Sequence, residues 1–407
     1  MFWSRRLASY RFLLTMSLFL IGCLHTMIFA FFQIPGNFLL GSGAEDLILD
    51  CKLVLYACAI GTALSHQALC RIFGLRKVLY LGLLFNLFGL AILWFNQVSP
   101  VKGFVPLIFL DMIFFGISIT SVICALITYI ILEYPKKLGV GITALFIFFN
   151  AGSMLAPVLL DIFNYFSAKT AMYPFLIALL IFAIWFVHAY FFDPQVPAHI
   201  ERLRKGTLLW RELHYRLGLF AVAVIAFGLT ETTFQAWGLL QIKATLGPQI
   251  ATEIISVFWL FVILGQIFLL VPLYFFAARR VFYFLIALSV GALINLPVQT
   301  TLPGIIFGLA IAGLGCSAMV PILLSMIERE VLHFSFKHRV LPYIEGAASV
   351  VIAAYFIGVG VIDFWVEWVK ESPLLSIPAH FHLAIYFIGA TGVVVLYLNL
   401  TSPKKLF

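Results

Sequence analysis

Charge is what this chain has least of. Only 10% of its 407 residues are Asp, Glu, Lys or Arg, against about 25% in soluble domains. With 63% hydrophobic residues and a mean hydropathy of +1.11, the chain cannot cover itself with a surface fit for water, so its exterior must face lipid. Cysteine is sparse as well. Cys23, Cys51, Cys58, Cys70, Cys124 and Cys316 lie scattered along apolar runs, with no CxxC pair and no metal-ligand spacing. This excludes a disulfide framework or a zinc module and leaves free thiols acting as small hydrophobes. No phosphate-binding Walker loop, His-Glu-x-x-His or nucleophile elbow is present, and the loops are too short for a catalytic domain. An enzyme is therefore not expected, nor a cofactor or a bound metal.

What is present is a succession of apolar runs, each about 20 residues long and sufficient to cross roughly 30 Å of hydrocarbon as a helix. Phe alone contributes 43 residues, which suits a lipid-facing surface. The runs predict spans 1 to 6 at 11–33, 49–70, 78–96, 104–131, 139–163 and 169–192, and spans 7 to 12 at 215–241, 250–276, 280–297, 302–327, 340–366 and 380–401. The predicted fold class is an all-α polytopic membrane protein, since an open strand cannot satisfy its backbone in lipid.

The net charge of +8 suggests nucleic acid only until its placement is read. If the N-terminus lies in the cytoplasm, 20 of the 25 basic residues fall in inner segments. Lys52, Lys102, Lys169, Lys243 and Lys370 fall one each in the outer segments. A wrong span count would scramble this alternation. The basic residues therefore orient the protein, with both termini cytoplasmic in an inner membrane, and nucleic acid is not a partner. The start, with Arg5, Arg6 and Cys23, has a lipoprotein-like reading. The apolar run continues through Phe32, however, so an uncleaved first helix is expected. Residues 193–214 form the one long polar interruption, a basic segment suited to a short helix on the membrane surface. They divide the chain into a bundle at 1–192, a linker at 193–214 and a second bundle at 215–407.

The two bundles echo one another. Arg76-Lys77-Val78-Leu79-Tyr80-Leu81 opens span 3, and Arg279-Arg280-Val281-Phe282-Tyr283-Phe284 opens span 9, 203 residues later. An even number of spans between them preserves orientation, so a parallel pseudo-repeat is expected. Between spans 2 and 3 stands Arg71-Ile72-Phe73-Gly74-Leu75-Arg76-Lys77. This resembles the signature loop of the major facilitator superfamily, with the central Gly kept, a basic pair one residue late and Arg71 where the family has Asp. Gly152-Ser153-Met154-Leu155-Ala156-Pro157 in span 5 is similar to the family's Gly-xxx-Gly-Pro antiporter motif. Gly313-Leu314-Gly315-Cys316 through Pro321 in span 10 is similar to a family pattern of small residues before Pro. The resemblance implies two six-helix bundles and secondary transport by alternating access. It also implies a central cavity lined by spans 1, 4, 7 and 10, and a cytoplasmic gate carrying Arg71, Gly74, Arg76, Lys77, Arg279 and Arg280. Small residues and Pro also serve close packing and kinking, and both readings hold together.

Ionisable groups inside hydrocarbon are costly, at least about 2.5–3.5 kcal/mol at a helix centre on insertion scales. Those well inside the spans are His25, Asp111, Glu231 and Glu345. Glu231 stands out, in the polar island Gly228-Leu229-Thr230-Glu231-Thr232-Thr233. Gly228 and Glu231 repeat the spacing of Gly22 and His25 in the equivalent helix. Desolvation disfavours the charged form of a carboxyl group, so such a group can take a proton from one side and release it to the other. The alternative is a structural hydrogen bond between helices, strongest for Glu345. Asn150, Thr233, Trp237, Gln266, Asn295, Tyr343 and Phe29 are further substrate-cavity candidates, with interhelical hydrogen bonds or lipid-facing packing as the plain alternative.

No Lys or Arg falls within a span's central portion. Polyanionic substrates need such counter-charges, so a neutral, zwitterionic or cationic small organic solute is favoured, with protons as the coupling ion. Glu367, Glu371, His380 and His382 hint at a metal but share no helical spacing, and solvated loop residues are the expected reading. A monomer in the lipid bilayer is expected. Efflux antiport, or a non-transporting receptor or assembly factor on the same fold, are the alternatives.

Overall fold

Hydrocarbon offers the backbone no hydrogen-bond partners, so each run satisfies its own N–H and C=O groups as a helix. The computed structural model describes residues 16–23, 44–98, 105–133, 138–166, 177, 180–181, 184, 210–247, 251–338, 344–369 and 377–401, and no strand occurs among them. Span 2 is the helix Ala44–Phe73, span 3 Leu75–Val98, span 4 Val105–Glu133 and span 5 Leu138–Phe166. Span 7 is Trp210–Leu246, span 8 Ala251–Phe275 and span 9 Ala278–Asn295. Span 10 is two helices, Leu302–Cys316 and Met319–His338, and spans 11 and 12 are Ile344–Val369 and Ile377–Thr401. Spans 2–5, 7–10 and 12 are long and apolar enough to cross a membrane, and span 11 holds a shorter apolar stretch, Gly346–Ile362. Span 1 is described as helix over 16–23.

Several helix limits differ from expectation: span 2 begins at Ala44 rather than 49, and span 10 runs to His338 rather than 327. Span 7 starts at Trp210, so the end of the predicted linker is already helical. The stretch Arg211-Glu212-Leu213 consists of good helix formers with no breaker before the apolar run. Span 10 is interrupted at Ser317 and Ala318, because Pro321 lacks the N–H that would continue the ladder. The turn between spans 2 and 3 is carried by Gly74, at φ 87, whose N–H bonds the Cys70 carbonyl at 2.9 Å. This left-handed helix end is open to glycine at no steric cost.

The chain forms two compact units, one of residues 1–129 and 148–204, the other of residues 130–147 and 205–407. In the first, helix backbones meet at glycines. A Cβ on Gly22 would strike the Phe149 carbonyl, and one on Gly152 the Phe19 carbonyl, so spans 1 and 5 touch backbone to backbone. Ser153 Oγ donates across this seam to the Gly22 carbonyl at 3.1 Å. Gly116 of span 4 lies against Leu55, Cys58 and Ala59 of span 2, and Asn86 of span 3 donates to Ser118 Oγ of span 4 at 3.0 Å.

In the second unit span 7 packs chiefly on spans 11 and 12, and span 10 on spans 8 and 9. A Cβ on Gly358 would stand 2.5 Å from the Ile225 carbonyl oxygen, and one on Gly228 3.0 Å from that of Tyr355. Gly313 lies against Phe258, Phe261 and Val262. Arg216 ties three helices at one end, pairing with Glu330 at 3.0 Å while donating to the Leu398 carbonyl at 2.8 Å and Thr401 Oγ1 at 3.1 Å. The start of span 5 belongs to this unit, with Gly139 facing Ser325 of span 10.

These contacts are the repeat made physical. An offset of 206 residues carries Gly22, Phe149 and Gly152 onto Gly228, Tyr355 and Gly358, with the same backbone contacts. An offset of 203 carries Leu55, Cys58 and Ala59 onto Phe258, Phe261 and Val262, while 197 carries Gly116 onto Gly313. Each half thus builds its 1–5 and 2–4 contacts in the same way. Gly358→Val is expected to cost about 1–3 kcal/mol by overpacking and to lower the melting midpoint of the detergent-purified protein. Gly291→Ala, where a Cβ meets nothing within 4 Å, should not lower the midpoint, since Ala favours the helix over Gly.

Candidate functional site

Span 7 carries Glu231 in its interior, 6% exposed. The threonines around it are absorbed by their own helix. Thr230, Thr232 and Thr233 donate to the carbonyls of Ala226, Gly228 and Leu229 at 2.9, 2.9 and 2.7 Å. Thr233, expected as a substrate contact, donates its proton locally and keeps its lone pairs as acceptors. The Gly228–Gly358 seam brings span 11 close, and the Tyr355 side chain comes within hydrogen-bonding reach of the Glu231 carboxyl. From span 10, the Cys316 thiol lies within electrostatic reach of the same carboxyl. Glu231 thus sits where spans 7, 10 and 11 meet.

Asp111 occupies a separate junction in the first unit. It is 1% exposed, and neither carboxyl oxygen has a hydrogen-bond partner among the described residues. Gly89 of span 3 makes room for it, since a Cβ there would stand 3.1 Å from Oδ1, and Cys51 of span 2 lies within its electrostatic reach. A buried carboxyl without donors is a cost that packing alone does not call for.

The remaining candidates divide. Gln266 donates through Nε2 to the Ser317 carbonyl at 2.7 Å, so this amide bonds the interruption of span 10. Asn150 is buried in span 5. Asn295 ends span 9, with Oδ1 unpartnered among the described residues, before the short turn Leu296–Val298. Trp237 is buried and stacks on His380 with ring centroids 3.5 Å apart, and its Nε1 has no hydrogen-bond partner among the described residues. His380 is therefore a packed residue rather than the solvated loop residue expected. His382, two positions on, is exposed, because 3.6 residues per turn puts the two on different sides of one helix. Of the expected gate, Arg71, Lys77 and Arg280 are exposed, while Arg76 donates to Tyr80 Oη at 3.1 Å and lies over that ring. His25, Phe29 and Tyr343 lie outside the described residues, as does the side chain of Glu345, whose backbone opens span 11.

Sequence reasoning missed several polar residues. Tyr355 carries no motif; only its place 206 residues after Phe149, opposite the repeated glycine, marks it. The Arg216–Glu330 pair lies near span ends, where charges are ordinary. His66 sits close to a span end yet is wholly buried, with Nε2 3.4 Å from Cys70 Sγ one turn on.

Asp111→Asn removes the ionisable group at constant size. It is expected to melt no lower than the parent protein, within about 2 °C or above it, since no donor among the described residues is lost. A clear drop in a thermal melt would reveal a donor to the carboxyl and overturn the reading of an unsatisfied group.

No curated protein sequence matches the chain. Among solved structures, the transporter FucP in an outward conformation is similar at TM-score 0.70 and 13% identity, covering 95% of this chain and 97% of FucP. A variant of the E. coli fucose:proton symporter FucP is similar at TM-score 0.66 and 14% identity, covering 95% and 97%. The proton:xylose symporter XylE, bound to 6-bromo-6-deoxy-D-glucose, is similar at TM-score 0.66 and 16% identity, covering 98% and 96%. At such identities the likeness shows the fold. The sequence pattern of the Major Facilitator Superfamily matches residues 53–333, well over half of the chain, and the chain belongs to that superfamily.

Proposed function

We propose that this multi-pass membrane protein is a proton-coupled secondary transporter of a small neutral, zwitterionic or cationic organic solute, with Glu231 as the coupling group. The observation that carries the reading is a carboxyl buried at a junction of three helices, met by a tyrosine side chain from span 11 and no described cation. A group so placed changes protonation when its surroundings change between two arrangements of the helices, which is what coupling requires. Superfamily membership supports transport, and FucP and XylE, both proton symporters, lend weight to protons as the coupling ion.

In this reading residues 1–192 and 215–407 rock against one another about a midplane site, joined by the linker 193–214. The protein acts as a monomer in the inner membrane with both termini cytoplasmic. Asp111 is a second proton-accepting group, held inside the first bundle. His25 and Glu345 are further candidates; Asn150, Trp237, Asn295, Tyr343 and Phe29 are candidate lining residues.

The test is transient current recording from proteoliposomes on a solid-supported membrane, challenged with sugars, amino acids and organic cations at an imposed pH difference. The parent protein should respond to one class, and Glu231→Gln should lose at least about ten-fold of the proton-driven signal, the loss expected when a coupling step is blocked, while retaining solute exchange. Equal signals from both proteins would remove Glu231 from coupling and move it to Asp111.

A further inference from the structure

In a continuous helix the N–H of residue 321 would bond the carbonyl of residue 317. Pro321 has no N–H, so the Ser317 carbonyl is released in a segment where water is not at hand, and Ser317 is 2% exposed. The ladder resumes only with Ile322 N–H donating to the Ala318 carbonyl at 2.9 Å. The released carbonyl is met from span 8, where Gln266 Nε2 stands 2.7 Å away and the residue is 1% exposed. Gly265 permits the approach, since a Cβ there would stand 2.7 Å from Ser317 Cβ and Oγ.

The repeat supplies an internal control. By the offsets that align the backbone contacts, Pro321 corresponds to Cys124, Gln266 to Ala63 and Gly265 to Thr62. Span 4, without the proline, runs unbroken from Val105 to Glu133. The proline, the amide and the glycine thus depart from the repeat together although they lie on two different helices. Packing alone asks for no amide at 266; a missing backbone donor at 321 does. Cys316, the last residue before the interruption, lies within electrostatic reach of Glu231.

We propose that Gln266 is a positioning residue whose side-chain amide replaces the backbone donor missing at Pro321, so holding the interruption of span 10 in register beside Glu231. The capping stands on geometry alone; its bearing on coupling rests on the role given to Glu231 above. Gln266→Met keeps length and apolar packing but removes the donor, whereas Pro321→Ala restores the backbone N–H.

The experiment is a double-mutant cycle on the full chain in detergent. Gln266→Met should lower the melting midpoint by about 2–6 °C in the parent background, as an unsatisfied buried carbonyl does, and by less than half as much in the Pro321→Ala background. Equal losses in both backgrounds would overturn the proposal and leave a packing role. If Gln266→Met does not yield folded protein, recovery of monodisperse protein in the double variant supports the proposal, and failure to recover overturns it.

A second readout follows alkylation of Cys316 by N-ethylmaleimide at pH 8.5, with the other five cysteines replaced by Ala. Cys316 is 4% exposed, so the parent protein should react slowly. Gln266→Met should speed the reaction about three-fold or more by loosening the interruption, and adding Pro321→Ala should return it to the parent rate. An unchanged rate in Gln266→Met would overturn the positioning role even where the cycle shows capping. Neither readout needs a transported solute. Failure of the coupling role would appear in the transient currents, and failure of this proposal in the cycle and the alkylation rates.

Discussion

Where two apolar helices meet in lipid, no hydrophobic gain drives them together, because the tails they displace are as apolar as the side chains that replace them. Close backbone contact has to supply the attraction, and only a missing Cβ lets carbonyls and helix axes come so near. Gly22 and Gly152 do this in the first half, Gly228 and Gly358 in the second, and Gly116 and Gly313 repeat it between other spans. Much else depends on these seams. Tyr355 reaches Glu231 because Gly228 and Gly358 bring spans 7 and 11 together, and Gln266 reaches Ser317 because Gly265 clears the way.

The halves agree in scaffold and diverge in chemistry. Glu231 stands where the first half has His25, and Tyr355 where it has Phe149. Asp111 corresponds to Gly308, and Pro321 to Cys124. Glycine contacts are held in common because in each half they let the same pairs of helix backbones touch. Particular polar and helix-breaking residues differ between the halves, so each junction has its own character: a carboxyl with a tyrosine in one, a carboxyl with no donor among the described residues in the other. A polar group in hydrocarbon carries a standing cost, and symmetry of fold does not require it to be duplicated.

Part of the site was legible in advance. Glu231 could be picked out because an acidic residue inside a long apolar run is anomalous in one dimension, whatever it touches. Its setting was not legible: the threonines beside it look like a polar pocket in sequence, yet Thr230, Thr232 and Thr233 bond back to their own helix. Gln266 looked like a cavity amide and is engaged with a carbonyl 51 residues away. His380 read as loop and is stacked on Trp237, because a helix that begins at Ile377 turns it inward.

Composition and the spacing of apolar runs determined the class of molecule, its helices and its duplication, since the bilayer imposes length and backbone self-satisfaction on every segment independently. The family resemblance rested on equally local signals, above all Gly74, whose φ of 87 few other residues adopt readily. Tertiary structure alone decided which helices touch and which polar atoms find partners. Those depend on the direction each side chain takes around its helix and on backbone approaches set by glycines more than a hundred residues apart, as with Gly22 and Gly152 or Gly228 and Gly358. A reading along the chain registers that a polar residue is buried, but the atom that meets it comes from another helix.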